Sequence, residues 1–167
     1  EGEEFTVTRP LQYKYTDPVK GELYQPLRVV PVVTGLFDQP VYVLDGAKEK
    51  PVQVELKSKK SFIKADVQIT TGSNWKISGG VYNDSLKKDG TIDIAGVIAP
   101  ASSAAATELG VTVHELKDYQ QNKYDAPLLF ERKIEYDHIP AVLYYQPLKA
   151  TSEKINVVVK GKKIGYI

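Results

Sequence analysis

Two neighbouring stretches decide the fold: Val52-Gln53-Val54-Glu55-Leu56-Lys57 and Ile63-Lys64-Ala65-Asp66-Val67-Gln68-Ile69. In both, every second residue is apolar and the residues between are polar or charged. A strand sends successive side chains to opposite faces, so this alternation predicts two half-buried strands. The β-branched residues suit a pleated surface. Working outward, the same signs recur. Residues 27–34 are apolar and β-branched, 35–40 read as a turn, and 41–44 resume the strand. Asp45-Gly46 and Asp89-Gly90 are turn pairs. Thr71-Gly72-Ser73-Asn74 turns into Trp75-Lys76-Ile77. Ile92, Ile94 and Val97-Ile98 form the next strand, closed by Pro100. Leu109, Val111 and Val113 share one face. Residues 120–125 are a polar turn, and 129–136 and 142–145 are further strands.

Only 101–107 (Ala-Ser-Ser-Ala-Ala-Ala-Thr) invites a helix. It lacks large apolar residues and leads into alternation, so it reads as a loop. Strands spaced about every 8–12 residues with turns between them predict a sandwich or barrel, not βαβ units. The expectation is an all-β, immunoglobulin-like antiparallel β-sandwich over 27–140, with short extra strands or linkers at both ends. Residues 4–8 read as a short strand. Residues 10–26 carry the breakers Asp17-Pro18, Lys20-Gly21 and Pro26. They read as an ordered linker anchored by Tyr13, Tyr15 and Tyr24, so 1–26 is expected to be the end of a preceding domain plus that linker. Residues 141–167 are expected to be a connector and the first strand of a following domain. Val157-Val158-Val159 and Ile164-Gly165-Tyr166-Ile167 read as strands, and the abrupt apolar end suggests a piece of a longer protein.

Composition narrows the chemistry. Among 167 residues there is no Cys and no Met, and the two histidines are His114 and His138. Metal sites and activated nucleophiles draw mainly on His, Cys and clustered carboxylates. The expectation is no catalytic residue, no metal ligand and no cofactor in this segment. Lys plus Arg is 22 and Asp plus Glu is 21. That balance offers no electrostatic reason for a nucleic-acid partner. No apolar run approaches the roughly 18 residues of a transmembrane helix.

Asp137-His138 is the pair closest to hydrolytic chemistry, where an acid orients an imidazole. Neighbours on a strand point to opposite faces, so the expected role is a strand-end corner locked by Pro140. His114 beside Glu115 lacks further ligands at fixed spacing and reads as a solvated strand histidine. Trp75 alternates with Ile77 around Lys76, which predicts core rather than a sugar-stacking platform. Asp45, Asp84, Asp89 and Asp93 lack a calcium-loop pattern and read as turn formers. Tyr144 and Tyr145 flank the expected sandwich and are docking candidates, with Asp137 and His138.

The stretches Ile134-Glu135-Tyr136-Asp137-His138-Ile139-Pro140 and Ile164-Gly165-Tyr166-Ile167 resemble the middle region of large exported PIG-L/LmbE-like deacetylases of the Bacteroidetes type. Residues 12–22 (Gln-Tyr-Lys-Tyr-Thr-Asp-Pro-Val-Lys-Gly-Glu) resemble the segment leading into it. Residues 52–57 and Asn74-Trp75-Lys76-Ile77 are similar to immunoglobulin-like modules of carbohydrate-active enzymes. There the usual pattern has Gly before the Trp, where this chain has Asn74, and Asn where it has Ser58. The resemblance implies a parent whose separate α/β domain holds zinc in an H-P-D-D motif and removes N-acetyl groups from amino sugars. This chain has no H-P-D-D, so no catalytic residue carries over. The implied role is a non-catalytic scaffold contacting adjoining domains of the same polypeptide, exported to the periplasm or cell surface. The alternatives are a carbohydrate-binding module with a glycan partner, or a surface adhesion or assembly domain with an exposed strand edge.

Overall fold

The computed structural model describes residues 5–9, 11–101, 103–125, 127–136 and 139–156, with the backbone alone at 139 and 140. The chain forms two units, Glu1–Val30 and Pro31–Ile167.

In the first unit, β1 (Gln12–Asp17) and β2 (Gly21–Pro26) pair as an antiparallel hairpin, from Gln12 opposite Pro26 to Asp17 opposite Gly21. This replaces the expected linker at 10–26, and residues 5–9 form no strand. The breakers do not interrupt structure here; they build the reversal itself. Asp17 Oδ1 accepts the amide protons of Val19 and Lys20, each at 2.8 Å, an Asx-type turn. Gly21 follows at φ 78°, a value glycine adopts without strain.

The second unit is an all-β sandwich. Its strands are β3 (Val33–Phe37), β4 (Val41–Asp45), β5 (Lys50–Ser58), β6 (Ile63–Thr70), β7 (Trp75–Gly79), β8 (Val81–Leu86), β9 (Thr91–Pro100), β10 (Thr107–Lys117), β11 (Leu129–Tyr136), β12 (Ile139–Pro147) and β13 (Lys149–Ile155). One sheet runs β4-β13-β10-β6-β8 and the other β12-β11-β3-β5-β9-β7. Most ladders are antiparallel; β13 with β4 and β11 with β3 are parallel.

The two stretches that announced the fold, β5 and β6, fall in different sheets. Val52, Val54 and Leu56 from one and Ile63, Ala65, Val67 and Ile69 from the other are all buried in a single core. Burying one such side chain contributes about 1.5–3 kcal/mol, so these two strands alone supply much of the driving force.

Three details depart from the sequence reading. The strand expected at 27–34 begins only at Val33, and the turn expected at 35–40 is confined to 38–40, because β3 continues through Gly35. Gly35 serves close packing instead of a turn: a Cβ there would run into the Leu148 side chain and lie 3.3 Å from Leu56 Cδ2. The chain reverses after β3 with Asp38, whose Oδ1 accepts the Gln53 amide at 3.0 Å.

Next, β10 slips register between Val113 and Glu115, so His114 sits in a β-bulge. The extra residue changes the parity of the inward positions. Leu109, Val111 and Val113 pack toward the core before it, and Leu116 after it.

Finally, residues 141–156, expected as a connector, complete the sandwich. β12 pairs along β11, and β13 lies between β10 and β4. Ala150 and Ser152 alternate into the interior, a pattern whose small side chains carry little apolar signal. The strands expected at 157–159 and 164–167 lie outside the described residues.

Candidate functional site

The structure scatters the residues singled out from sequence. Asp137 and His138 lie outside the described residues. Tyr144 and Tyr145 stand on β12. The Tyr145 hydroxyl donates to Glu131 Oε2 at 3.1 Å, and Glu131 also receives the Lys59 ammonium at 3.2 Å. Tyr144 lies opposite Arg132. Farther out, the β11–β12 ribbon exposes Ile134, Tyr136 and Val142. Asp45 pairs with Lys48, Asp84 accepts the Ser85 amide, Asp89 takes a left-handed turn conformation, and Asp93 faces Glu55 across a ladder. Among the described residues no group of three His, Cys, Asp or Glu could hold a metal. No described helix is long and apolar enough to cross a membrane.

Trp75 is buried, and its Nε1 donates to the Ala105 carbonyl at 2.8 Å. A buried indole N–H needs such a partner, and the 101–107 loop supplies it. The aromatic that best suited sugar stacking is therefore part of the core.

What sequence reasoning missed is a polar lock centred on Asp118, whose side chain is fully buried. Its Oδ1 accepts the amides of Gln120 at 2.9 Å and Asn122 at 3.0 Å. Its Oδ2 accepts Lys60 Nζ at 2.8 Å, Asn122 Nδ2 at 3.0 Å and the Tyr124 hydroxyl at 3.0 Å. Lys60 Nζ also reaches the Tyr124 oxygen at 2.6 Å and lies 5.3 Å from that ring's centre. The Ser58 hydroxyl fixes the Lys60 backbone, donating to its carbonyl at 2.7 Å and accepting its amide at 3.2 Å.

The lock ties the β5–β6 turn to the β10–β11 loop. The Lys60 hydrogen bond, then that of Asn122, holds the Asp118 carboxyl well below the usual carboxylate range. Asp118, then Tyr124, pushes the Lys60 ammonium well above the ordinary lysine value. Both groups stay charged across neutral pH. Neither is poised to exchange a proton there, so the arrangement fastens loops and is ill suited to acid–base catalysis. The sequence signals half of it: Asp118, Asn122 and Tyr124 crowd one polar turn. Nothing in the spacing points to Lys60.

Beside the lock runs an open groove of about 530 Å³. Val111, Val113, Leu116, Tyr124 and Pro127 give it apolar lining, with His114, Glu115, Lys123 and Asp125 beside them. Lys117 bonds Glu115 at 3.0 Å and holds its carboxyl below the usual range. His114, expected as a solvated strand histidine, is exposed at the bulge.

Fold and site together define an all-β sandwich domain with an internal polar lock and a groove along a strand. No protein-family description matches the chain, and no curated protein does. Among solved structures it is similar to a FixG-related protein from Vibrio parahaemolyticus, at 9% identity and a TM-score of 0.42, over 75% of this chain and 98% of that one. Such a likeness transfers no role.

Proposed function

We propose that this chain is a non-catalytic, immunoglobulin-like β-sandwich scaffold within a multidomain, exported PIG-L/LmbE-like deacetylase, holding neighbouring domains in fixed relation. The deacetylase parentage, and the zinc it would use in another domain, rest on the sequence resemblance around residues 134–140 and 164–167.

One observation supports the scaffold role above the others. Large apolar side chains stand in water outside the sandwich, with Phe5, Val19 and Val29 at 81%, 92% and 97% exposure. A two-stranded hairpin alone is marginal in water, and large apolar side chains left in water gain by burial against another surface. A neighbouring domain would cover these residues.

The test is enzymatic. The purified chain should release no acetate from N-acetyl-amino-sugar oligosaccharides, with or without added zinc. Zinc-dependent deacetylation would sink the scaffold reading.

The carbohydrate-binding alternative keeps one observation in its favour. Tyr13 and Tyr15 present rings with centres 5.8 Å apart on the hairpin, bridged by Gln25. A glycan array decides it: a scaffold gives no saturable binding, whereas a lectin-like hairpin does.

A further inference from the structure

We propose that the groove along β10 is a strand-acceptor site: it takes an extended segment of another polypeptide, with apolar residues at alternate positions, as an added strand. The argument starts from backbone directions. In a strand, the N–H and C=O of alternate residues point to opposite edges. The Ile69 amide donates to the Gly80 carbonyl, on the β8 side of β6. The next residues along, Gln68 and Thr70, therefore aim their backbone groups at β10, where they face Thr112 and Gly110. It follows that Val111 and Val113 aim theirs at the opposite edge.

Among the described residues, that edge has an occupant only at its two ends. β13 fills it beside residues 107–110, its ladder stopping where Gly110 meets Lys149. Beyond the bulge, the Leu116 carbonyl accepts the Tyr124 amide at 2.9 Å. Between these points no described strand pairs with β10, and the backbone groups of Val111 and Val113 meet no described partner. The interruption has a structural cause: just before β13 the chain belongs to β12, in the other sheet.

The gap is shaped for a chain. An unpaired edge recognises main-chain amides and carbonyls, which selects an extended peptide over other ligands. A length of residues 111–115 spans about 16 Å at roughly 3.3 Å per residue. The groove volume lies within the range of about 300–1,000 Å³ typical of ligand sites. Val111 and Val113 turn their side chains toward the core, and with Leu116, Tyr124 and Pro127 they give the slot apolar lining. An added strand would lay alternate apolar residues there and turn the others toward solvent. The occupant would continue the lane β13 already fills along β10, on the side lined by Tyr124 and Pro127.

The test is amide hydrogen exchange by NMR on the whole chain, with acetyl-Thr-Val-Thr-Val-Thr-amide as probe. A second probe is the same peptide N-methylated at its valines, which keeps the side chains and removes those donors. In the free protein, the Val111 and Val113 amides should exchange fast while Thr112, bonded to β6, is protected. The plain peptide should slow Val111 and Val113 by about tenfold or more, and the methylated peptide should not. The proposal is overturned if those two amides are already protected, if both peptides act alike, or if neither binds at millimolar concentration. Protection that appears on concentrating the protein alone would make the occupant a second copy, and would overturn the assignment to a foreign segment.

Discussion

β1–β2 and β5–β6 are both consecutive strand pairs, and their fates are opposite. β5 and β6 part into different sheets and bury seven alternating apolar residues at 1% exposure or less. β1 and β2 pair with each other, and within their own unit they leave Tyr13 and Tyr24 half or more exposed. The hairpin is held by local polar bonds: the Asp17 turn, the Tyr13–Gln25–Tyr15 bridge and the Lys14–Glu22 ion pair. Pairing makes a strand, but only a second apolar layer makes a core. Stability should therefore reside in the sandwich, and the hairpin should act as an adapter for whatever it meets.

The sharpest way to break this contrast is at Trp75. Truncating a buried Trp costs roughly 3–5 kcal/mol, against about 5–15 kcal/mol for a whole domain. Trp75→Ala should leave the chain largely unfolded or shift its denaturant midpoint strongly downward. The native indole should emit to the blue and move red on unfolding. Emission like free indole, with easy acrylamide quenching, would place Trp75 at the surface and restore the sugar-binding reading.

A smaller effect is expected at Gly35. Its substitution by Ala puts a methyl against the Leu148 and Leu56 side chains across the sheet interior. Overpacking of this kind costs typically about 1–3 kcal/mol. Thermal melts of Gly35→Ala should fall below the parent but remain cooperative. An unchanged melting temperature would show that Leu148 yields freely and that the core is looser than its burial implies.

The polar lock gives a pH-dependent prediction. Asp118 has a depressed value in the folded state, so its contribution is present above the unfolded carboxylate value of about 3.9 and fades as pH falls toward the folded one. Lys60 has a raised value, so its contribution is full below the unfolded lysine value and fades only as strongly alkaline pH approaches the folded one. Asp118→Asn should thus melt lower than the parent at pH 7, with the gap narrowing below about pH 4. A gap independent of pH would mean that the charge of Asp118 contributes nothing and only its shape matters.

These residues also show what a sequence can disclose. Strands β5, β6 and the start of β9 are legible because period-two alternation follows directly from strand geometry. The bulge at His114 is not, since an inserted residue breaks the very period that reveals a strand. Gly35 misled because glycine marks both turns and tight packing. The hairpin misled because Asp17-Pro18 and Lys20-Gly21 look alike whether they end structure or reverse it. The Asp118 lock is half visible, in its own polar turn, and its cation enters from 58 positions away. The open edge of β10 is invisible in principle: it depends on where β13 stops, a property of the pairing and not of β10.

The smallest expected effect falls on the hairpin, and it tests the contrast from the other side. Tyr24 is 59% exposed and lies opposite Lys14. If the hairpin adds nothing to the core, Tyr24→Ala should change the unfolding free energy of the chain by no more than about 0.5 kcal/mol, the range of ordinary surface substitutions. The same independence predicts that limited trypsin treatment cuts within residues 14–28, at Lys14, Lys20 or Arg28, before it cuts the sandwich. The fragment left should melt at the parent's temperature. Low-stability units open often and are cleaved from their open state, so cutting order reports local stability directly. A lowered melt after removal of the hairpin would mean that it packs on the sandwich strongly enough to stabilise it. Its exposed apolar residues would then serve this chain and not a neighbour, and the adapter role would pass to the β11–β12 ribbon.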